Sequence, residues 1–230
     1  MSAYETIFTR RSVRQYDPTP LSAEELALVQ TAIDAAEQLP GQKAAFEIVD
    51  STALKGCAAP HAILAYADDS DIALSNVGYT LQAVDLHLQE HGFGTLWMGM
   101  AKPLNPKENY QILLAFGKTG VPMRNGLADT KRKGISVISN ADNAVARAVQ
   151  IAPSAMNAQP WALTFSAGQV LVKSVPSGVA KLLAPKMQKI DHGIALRHAV
   201  LALTEEGKRI TSLNPQGSGK GFAVAVHYAA

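Results

Sequence analysis

The chain has 230 residues, 47% hydrophobic and 17% charged, a balance that sustains a sizeable core and excludes an intrinsically disordered chain. Its 21 basic and 19 acidic side chains leave a formal charge of +2, too little to point to nucleic acid or an anionic membrane as partner. The single cysteine, Cys57, excludes an internal disulfide; with no apolar leader and no long apolar run, the expectation is a soluble, cytoplasmic protein.

Tyr4–Phe8 reads as a short amphipathic helix whose end delivers Arg10, Arg11, Ser12 and Arg14. Three guanidiniums and a hydroxyl so close together suit a phosphate, because arginine's planar fork meets phosphate oxygens two at a time; a solvated basic turn is the plainer alternative. Asp17-Pro18-Thr19-Pro20 imposes an extended link, and Ser22 with Glu25 forms a capping box that opens a helix running to about Gln38, ended by Pro40-Gly41. Phe46–Val49 and Ala62–Tyr66 place apolar and β-branched residues between turn formers and read as strands. From about Ile72 to His91 a long helix aligns Leu74, Leu81, Val84 and Leu88 on one stripe, with Gly92 placed to cap it. Its last turn holds His87, Glu90 and His91, the His-x-x-Glu-His spacing of some zinc proteases. That pattern needs a further carboxylate ligand with no identifiable position, and the helix macrodipole alone accounts for histidines there, so no metal site is expected.

Gly92-Phe93-Gly94-Thr95 is dense in glycine, which lets a backbone approach a ligand without a Cβ clash. Trp97, Met98 and Met100 follow, either as a pocket wall or as plain packing. Tyr110–Phe116 reads as a strand, and residues 117–134 form a Gly-, Pro- and charge-rich connection carrying Lys131, Arg132 and Lys133, long enough to be functional, a linker or both. In Ile151–Trp161, Pro153 and Pro160 fix φ and restrain the residues before them. Ser154, Asn157 and Gln159 are thus presented from a stiff backbone, and their hydroxyl and amides suit a flat heterocycle with alternating donors and acceptors. The plain alternative is a helix stop followed by an edge strand, since Ser, Asn and Pro are ordinary turn residues.

The second half repeats the first. Gly78, Leu81, Leu86, Leu88, Glu90 and Gly92 recur as Gly193, Leu196, Leu201, Leu203, Glu205 and Gly207 at a constant spacing of 115 (193 − 78). Phe46 meets Trp161 at the same spacing (161 − 46), and Pro40 meets Pro153 at 113 (153 − 40). The halves have diverged in complementary ways: Pro40-Gly41 is followed by no Ser or Asn, and the second half lacks an Arg-Arg-Ser-x-Arg stretch.

The string Ala152-Pro153-Ser154-x-x-Asn157-x-Gln159-Pro160-Trp161 resembles the signature loop of the FMN-dependent nitroreductase family. Arg10–Arg14 resembles that family's phosphate-binding stretch, Gly92–Gly99 its flavin-edge segment and Lys131-Arg132-Lys133 its late basic pair. The order departs from the usual one: the Pro-Ser loop comes 139 residues after Arg14 (153 − 14) rather than soon after it, as in a branch with two tandem lobes in one chain. In the family the flavin lies at a homodimer interface, and here one chain holds one complete set of motifs. The resemblance therefore implies an α+β fold, a nitroreductase-like α/β sandwich built as a pseudo-dimer of two intertwined lobes in one composite domain. Residues 1–136 would be the phosphate and ring-edge lobe, and residues 137–230 the Pro-Ser loop lobe.

The same resemblance implies an FMN-dependent oxidoreductase that passes a hydride from NADH or NADPH to a nitroaromatic, quinone or similar small acceptor. The chemistry would lie at flavin N5, with no catalytic side chain. The cofactor-binding residues implied are Arg10, Arg11, Ser12, Arg14, Gly94, Thr95, Gly99, Lys131, Arg132, Pro153, Ser154, Asn157 and Gln159. No Gly-x-Gly-x-x-Gly follows a strand, so the nicotinamide is expected to share the acceptor's site rather than own a domain. A monomer should suffice for a complete site, without nucleic acid or membrane as partner. A non-catalytic FMN-binding protein, and more remotely a zinc hydrolase on His87, Glu90 and His91, remain the competing readings.

Overall fold

The computed structural model of the chain describes residues 1–183 and 185–230. Helices α1 (Ala3–Thr9) and α2 (Ala23–Ala35) each open on a serine capping box, Ser2 with Glu5 and Ser22 with Glu25, which satisfies amides the helix leaves bare. α2 ends at Ala35, short of the expected Gln38, because tertiary hydrogen bonds draw the following residues away. The Leu39 amide donates to Asn76 Oδ1 at 2.7 Å, and Gln38 Oε1 accepts from the Ala44 amide and from Asn76 Nδ2.

Strands β1 (Ala45–Asp50), β2 (Leu54–Lys55) and β3 (His61–Tyr66) lead to helix α3 (Asp71–Glu90). Ser70 caps its start, and the chain leaves its end through Gly92, whose φ of 82° favours glycine. β4 (Phe93–Met98), β5 (Lys102–Pro103) and β6 (Tyr110–Lys118) follow. The glycine-dense segment thus runs directly into a strand, and Gly94 serves packing: a Cβ there would lie 2.7 Å from Val13 Cγ1 and 2.9 Å from Thr119 Cγ2. Beyond the long connection come α4 (Ile135–Ile138), α5 (Ala144–Gln150), β7 (Trp161–Ser166), β8 (Gln169–Ser174), α6 (Ala180–Leu183), α7 (Pro185–Glu205), β9 (Arg209–Gln216) and β10 (Ala223–Ala229).

This is an α+β fold with two antiparallel four-stranded sheets, ordered β1-β3-β6-β4 and β7-β8-β10-β9. In chain order both sheets place their first, second, fourth and third strands side by side. α3 packs on the first sheet, α7 on the second, and the two helices pack on each other. Both are buried along most of their length. Their crossing is set by the repeated glycines: a Cβ on Gly78 would collide with the Ile190 carbonyl, and one on Gly193 with the Ser75 carbonyl. Residues 75 and 190 are themselves 115 apart, so the two close approaches correspond position for position. Among the described residues no helix is long and apolar enough to cross a membrane.

Candidate functional site

After α1 the chain is extended. Ser12 bridges Thr95 on the edge of β4, and the Val13 amide donates to the Thr95 carbonyl at 2.8 Å. Gln89 of α3 clamps the backbone of Arg11, its Oε1 accepting from the amide and its Nε2 donating to the carbonyl. Alternate side chains of an extended segment face opposite ways. Ser12 and Arg14 therefore line a cavity of about 540 Å³, whereas Arg11 and Val13 face a separate groove beside Gln89 and Gly94. Arg10 faces neither: it is 1% exposed, with Nε 2.9 Å from the fully buried Asp85 carboxylate. Gln82, Gln89 and the Thr95 hydroxyl also donate to Asp85, which places the Thr95 side chain in this buried network.

The opposite wall of the cavity comes from the second half of the chain: Pro153, Ser154, Ala155 and Met156 from the loop, with Met187, Asp191 and Ile194 from α7. Leu96, Trp97, Gly99 and Met100, with Ile112 of β6, complete the lining. The loop is strained, because Met156, Asn157 and Gln159 hold φ values of 54°, 55° and 48°, where side chains are disfavoured. Hydrogen bonds hold it there. The Gln159 amide donates to Ser154 Oγ at 3.0 Å, and the Ala155 amide donates to both Asp191 carboxylate oxygens at 3.1 Å.

The amides of Asn157 and Gln159 turn to the connection between the halves. Asn157 Oδ1 accepts from Arg132 Nη1, its Nδ2 donates to the Lys131 carbonyl at 2.7 Å, and Gln159 Oε1 accepts from the Lys133 amide at 2.8 Å. At its other end the connection grips the Arg-rich segment: the Arg124 amide donates to Thr9 O, and Arg11 Nη1 donates to Pro122 O. Residues 117–134 are thus a strap joining the two motif-bearing segments. Of the residues singled out in the sequence, the structure brings Ser12, Arg14, Gly99, Pro153 and Ser154 to one cavity. It places Arg10, Arg11, Gly94, Thr95, Lys131, Arg132, Asn157 and Gln159 outside that lining.

Three guanidiniums gather along the strap. Burial first, then the neighbouring charges of Arg124 and Arg10, lower Arg132 to about 10, and burial with Arg10 and Arg11 lowers Arg124. Arg124 Nη1, Arg132 Nε and both Nη atoms of Arg10 are buried without a hydrogen-bond partner among the described residues. Asp191 is different in kind: 4% exposed and on the cavity wall, its carboxyl is pushed well above the usual carboxylate range by burial, against a weaker pull from the Ala155 amide.

Sequence reasoning missed Ile112, Met187, Asp191 and Ile194. The signal for Asp191 is its spacing from Asn76, which is the same 115 that relates the crossing glycines. His87, Glu90 and His91 do come together at the end of α3, with ligand atoms within 4.8 Å of one another, but none of them lines the cavity.

A sequence profile of the family described as "Putative TM nitroreductase" matches residues 2–203. A protein of solved structure from Thermotoga maritima, described as a putative nitroreductase, is 24% identical, with a TM-score of 0.74 over 99% of this chain and 94% of its own; that likeness shows the shared fold. A nitroreductase family protein from Clostridium difficile is 19% identical, covering 62% of this chain and 100% of its own with a TM-score of 0.49. An FMN-dependent nitroreductase from the same species is 20% identical, covering 54% and 91% with a TM-score of 0.44. A search of curated proteins found no match. The profile spans most of the sequence, and on that ground the chain belongs to the TM nitroreductase family and has an oxidoreductase role.

Proposed function

We propose that the chain binds one FMN in the cavity between its halves and uses it to pass a hydride from NADH or NADPH to a nitroaromatic, quinone or similar electron-poor acceptor. The observation that carries this reading is the shared lining, with Ser12 and Arg14 from one half and Pro153 and Ser154 from the other. Its volume of about 540 Å³ lies within the usual range for cofactor sites. Lobes of residues 1–136 and 137–230 fit the repeated strand order, and with both motifs in one chain a monomer suffices.

The donor set fits the group. A phosphate dianion matches guanidiniums, so Arg14 of the lining is the favoured holder; Arg124 and Arg132 stand outside that lining, and their unpartnered buried nitrogens add positive charge that an anion would relieve. Arg10 acts from behind, its charge already matched by Asp85. Ser12 and Ser154 offer hydroxyls at the cavity wall, and Trp97 and Ile194 offer apolar surface for a flat ring. Asn157 and Gln159 hold the loop in its strained form through the strap. When bound, the flavin supplies hydride acceptance and donation, for which the protein need only orient and exclude water.

The test is the flavin content and spectrum of the purified protein. About one FMN per chain, bleached by NADH or NADPH and lost in both Arg14→Ala and Ser154→Ala, is expected. A colourless protein that takes up no FMN sinks the reading; bound flavin that neither nicotinamide bleaches reduces the protein to a carrier.

A further inference from the structure

Two buried polar side chains do the same structural job 115 positions apart with different chemistry. Asp191 of α7 accepts the Ala155 amide, and Asn76 of α3 accepts the Leu39 amide. Each ties the segment leaving a shorter helix, α5 or α2, to a central helix. Asn76 is fully buried, and its Nδ2 donates to Gln38 Oε1 at 2.9 Å, so both ends of its amide are used within the protein. Asp191 instead forms part of the cavity wall. Since an amide suffices to hold the backbone, the carboxyl at 191 calls for an explanation in what the cavity holds.

We propose that Asp191 is the catalytic acid of this site, a neutral carboxylic acid that hydrogen-bonds an oxygen of the electron acceptor and delivers the proton of its reduction. This rests on the reading that a hydride from NADH or NADPH is passed on in the cavity. The surroundings favour the neutral form. Arg14 is the other ionisable side chain of the lining and is itself exposed to solvent. On α7, Lys189 is paired with Asp71 of α3, and His192 bonds the Ser75 hydroxyl and the Val172 carbonyl. The loop presents Ser154 and the Ala155 amide, and β4 and β6 present Trp97 and Ile112, none of them a cation. Burial accordingly keeps the carboxyl protonated beyond the usual carboxylate range.

The step balances. A quinone that has received a hydride is a hydroquinone monoanion. The Asp191 O–H bond breaks, its proton bonds to the phenolate oxygen, and the electron pair stays on the carboxylate, which solvent reprotonates. A nitro oxygen takes the proton in the same way as its N–O bond is reduced with loss of water. An acceptor such as ferricyanide, which takes electrons without protons, has no use for the group. The inference therefore assigns the site to oxygen-bearing acceptors.

The experiment uses FMN-loaded wild-type protein and Asp191→Asn, a substitution for which Asn76 is the internal precedent. Each is reduced anaerobically with NADPH and mixed with 1,4-benzoquinone or with ferricyanide in a stopped-flow instrument. Loss of a general acid should slow quinone reduction about 100-fold or more. The quinone rate should fall far more than the rates of reduction by NADPH and of reoxidation by ferricyanide, a selectivity that a merely structural defect would not give. The wild-type quinone rate should fall as pH rises and Asp191 ionises, and the variant's should be flat. Independently of flavin, the infrared spectrum of ¹³C-aspartate-labelled apoprotein at neutral pH should contain a protonated-carboxyl band that Asp191→Asn lacks. Equal quinone rates in the two proteins, or an ionised carboxyl in that spectrum, overturns the inference. Failure of wild-type protein to take up FMN would sink the functional reading and the acid role with it, while the band would still report the state of the carboxyl.

Discussion

Beside Asp191 the crossing of α3 and α7 lines a cavity, whereas its counterpart Asn76 is fully buried among neighbouring side chains. The backbones at the two places are built alike, down to the paired close approaches at Gly78 and Gly193. What differs is a few side chains. Where α7 carries Ile194, α3 carries Tyr79, 2% exposed, with the Arg197 guanidinium 3.6 Å from its ring centroid. Arg197 Nε donates to the Tyr79 carbonyl and Nη2 to the Glu37 carbonyl, so an aromatic ring and a cation fill the counterpart region. In the duplicated-lobe reading, a repeated scaffold keeps its geometry and loses one of two sites by plugging it, with no need to rebuild the backbone.

The largest effect should come from the ion pair that α3 has and α7 lacks. Asp85 binds Arg10 with both partners buried, whereas the position 115 residues on is Val200. Arg10→Ala leaves an uncompensated buried carboxylate and should cost about 3–5 kcal/mol in urea unfolding. The double change Arg10→Met with Asp85→Val should recover much of that, because it removes both charges. A single variant that loses under about 1 kcal/mol would mean that water reaches the pair.

Next come two groups that only α7 carries. His192 and His198 stand where α3 has Val77 and Ala83, and burial holds both down to about 4. A folded-state value below the unfolded 6.5 means that the unfolded chain binds the proton first. The stability these histidines contribute is thus complete above pH 6.5 and falls as pH drops toward 4, by about 3 kcal/mol per histidine at about 1.36 kcal/mol per pH unit. Unfolding midpoints between pH 7 and 4 should show this loss, and His192→Gln should remove about half of it. An unchanged pH dependence in that variant would count against a neutral His192.

Much of this architecture was legible in the sequence. The capping box at Ser22, the glycine after α3 and the spacing of 115 between Gly78 and Gly193 are local or repeated signals, and each has its structural counterpart in the start of α2, the end of α3 and the crossing. The site was legible only in part, because residue type does not reveal which way a side chain faces. Arg10 turns inward because Asp85 lies on the buried side of α3, and Asn157 and Gln159 turn to a strap that lies far from them in sequence. Asp191 was hidden for the opposite reason: it sits among apolar positions of a core helix, and only its pairing with Asn76 sets it apart.

The crossing itself offers a test of equivalence. Gly78→Ala and Gly193→Ala each drive a methyl into a backbone carbonyl, and each should cost about 1–3 kcal/mol, somewhat offset by alanine's better helix propensity. The two losses should be similar, and the double variant should lose less than their sum, since one shift of the helices relieves both contacts. Strongly unequal losses would break the equivalence of the two sides.

The smallest effect separates Asp191 from Asn76 by stability alone. Burial raises the Asp191 carboxyl above its unfolded value, so the folded chain holds a proton that the unfolded chain releases. The stabilisation this gives is fully present below the unfolded value of about 3.9 and is lost as pH rises toward the folded one. Asparagine keeps an acceptor for the Ala155 amide and has no proton to hold, as at Asn76. Asp191→Asn should therefore match the wild type near pH 4 and become the more stable protein as pH approaches neutrality, melting about 2–4 °C higher for each kcal/mol recovered. A gap that shrinks with rising pH would mean that Asp191 is ionised and favourably paired in the folded protein, and its neutral role in the cavity would fall with it.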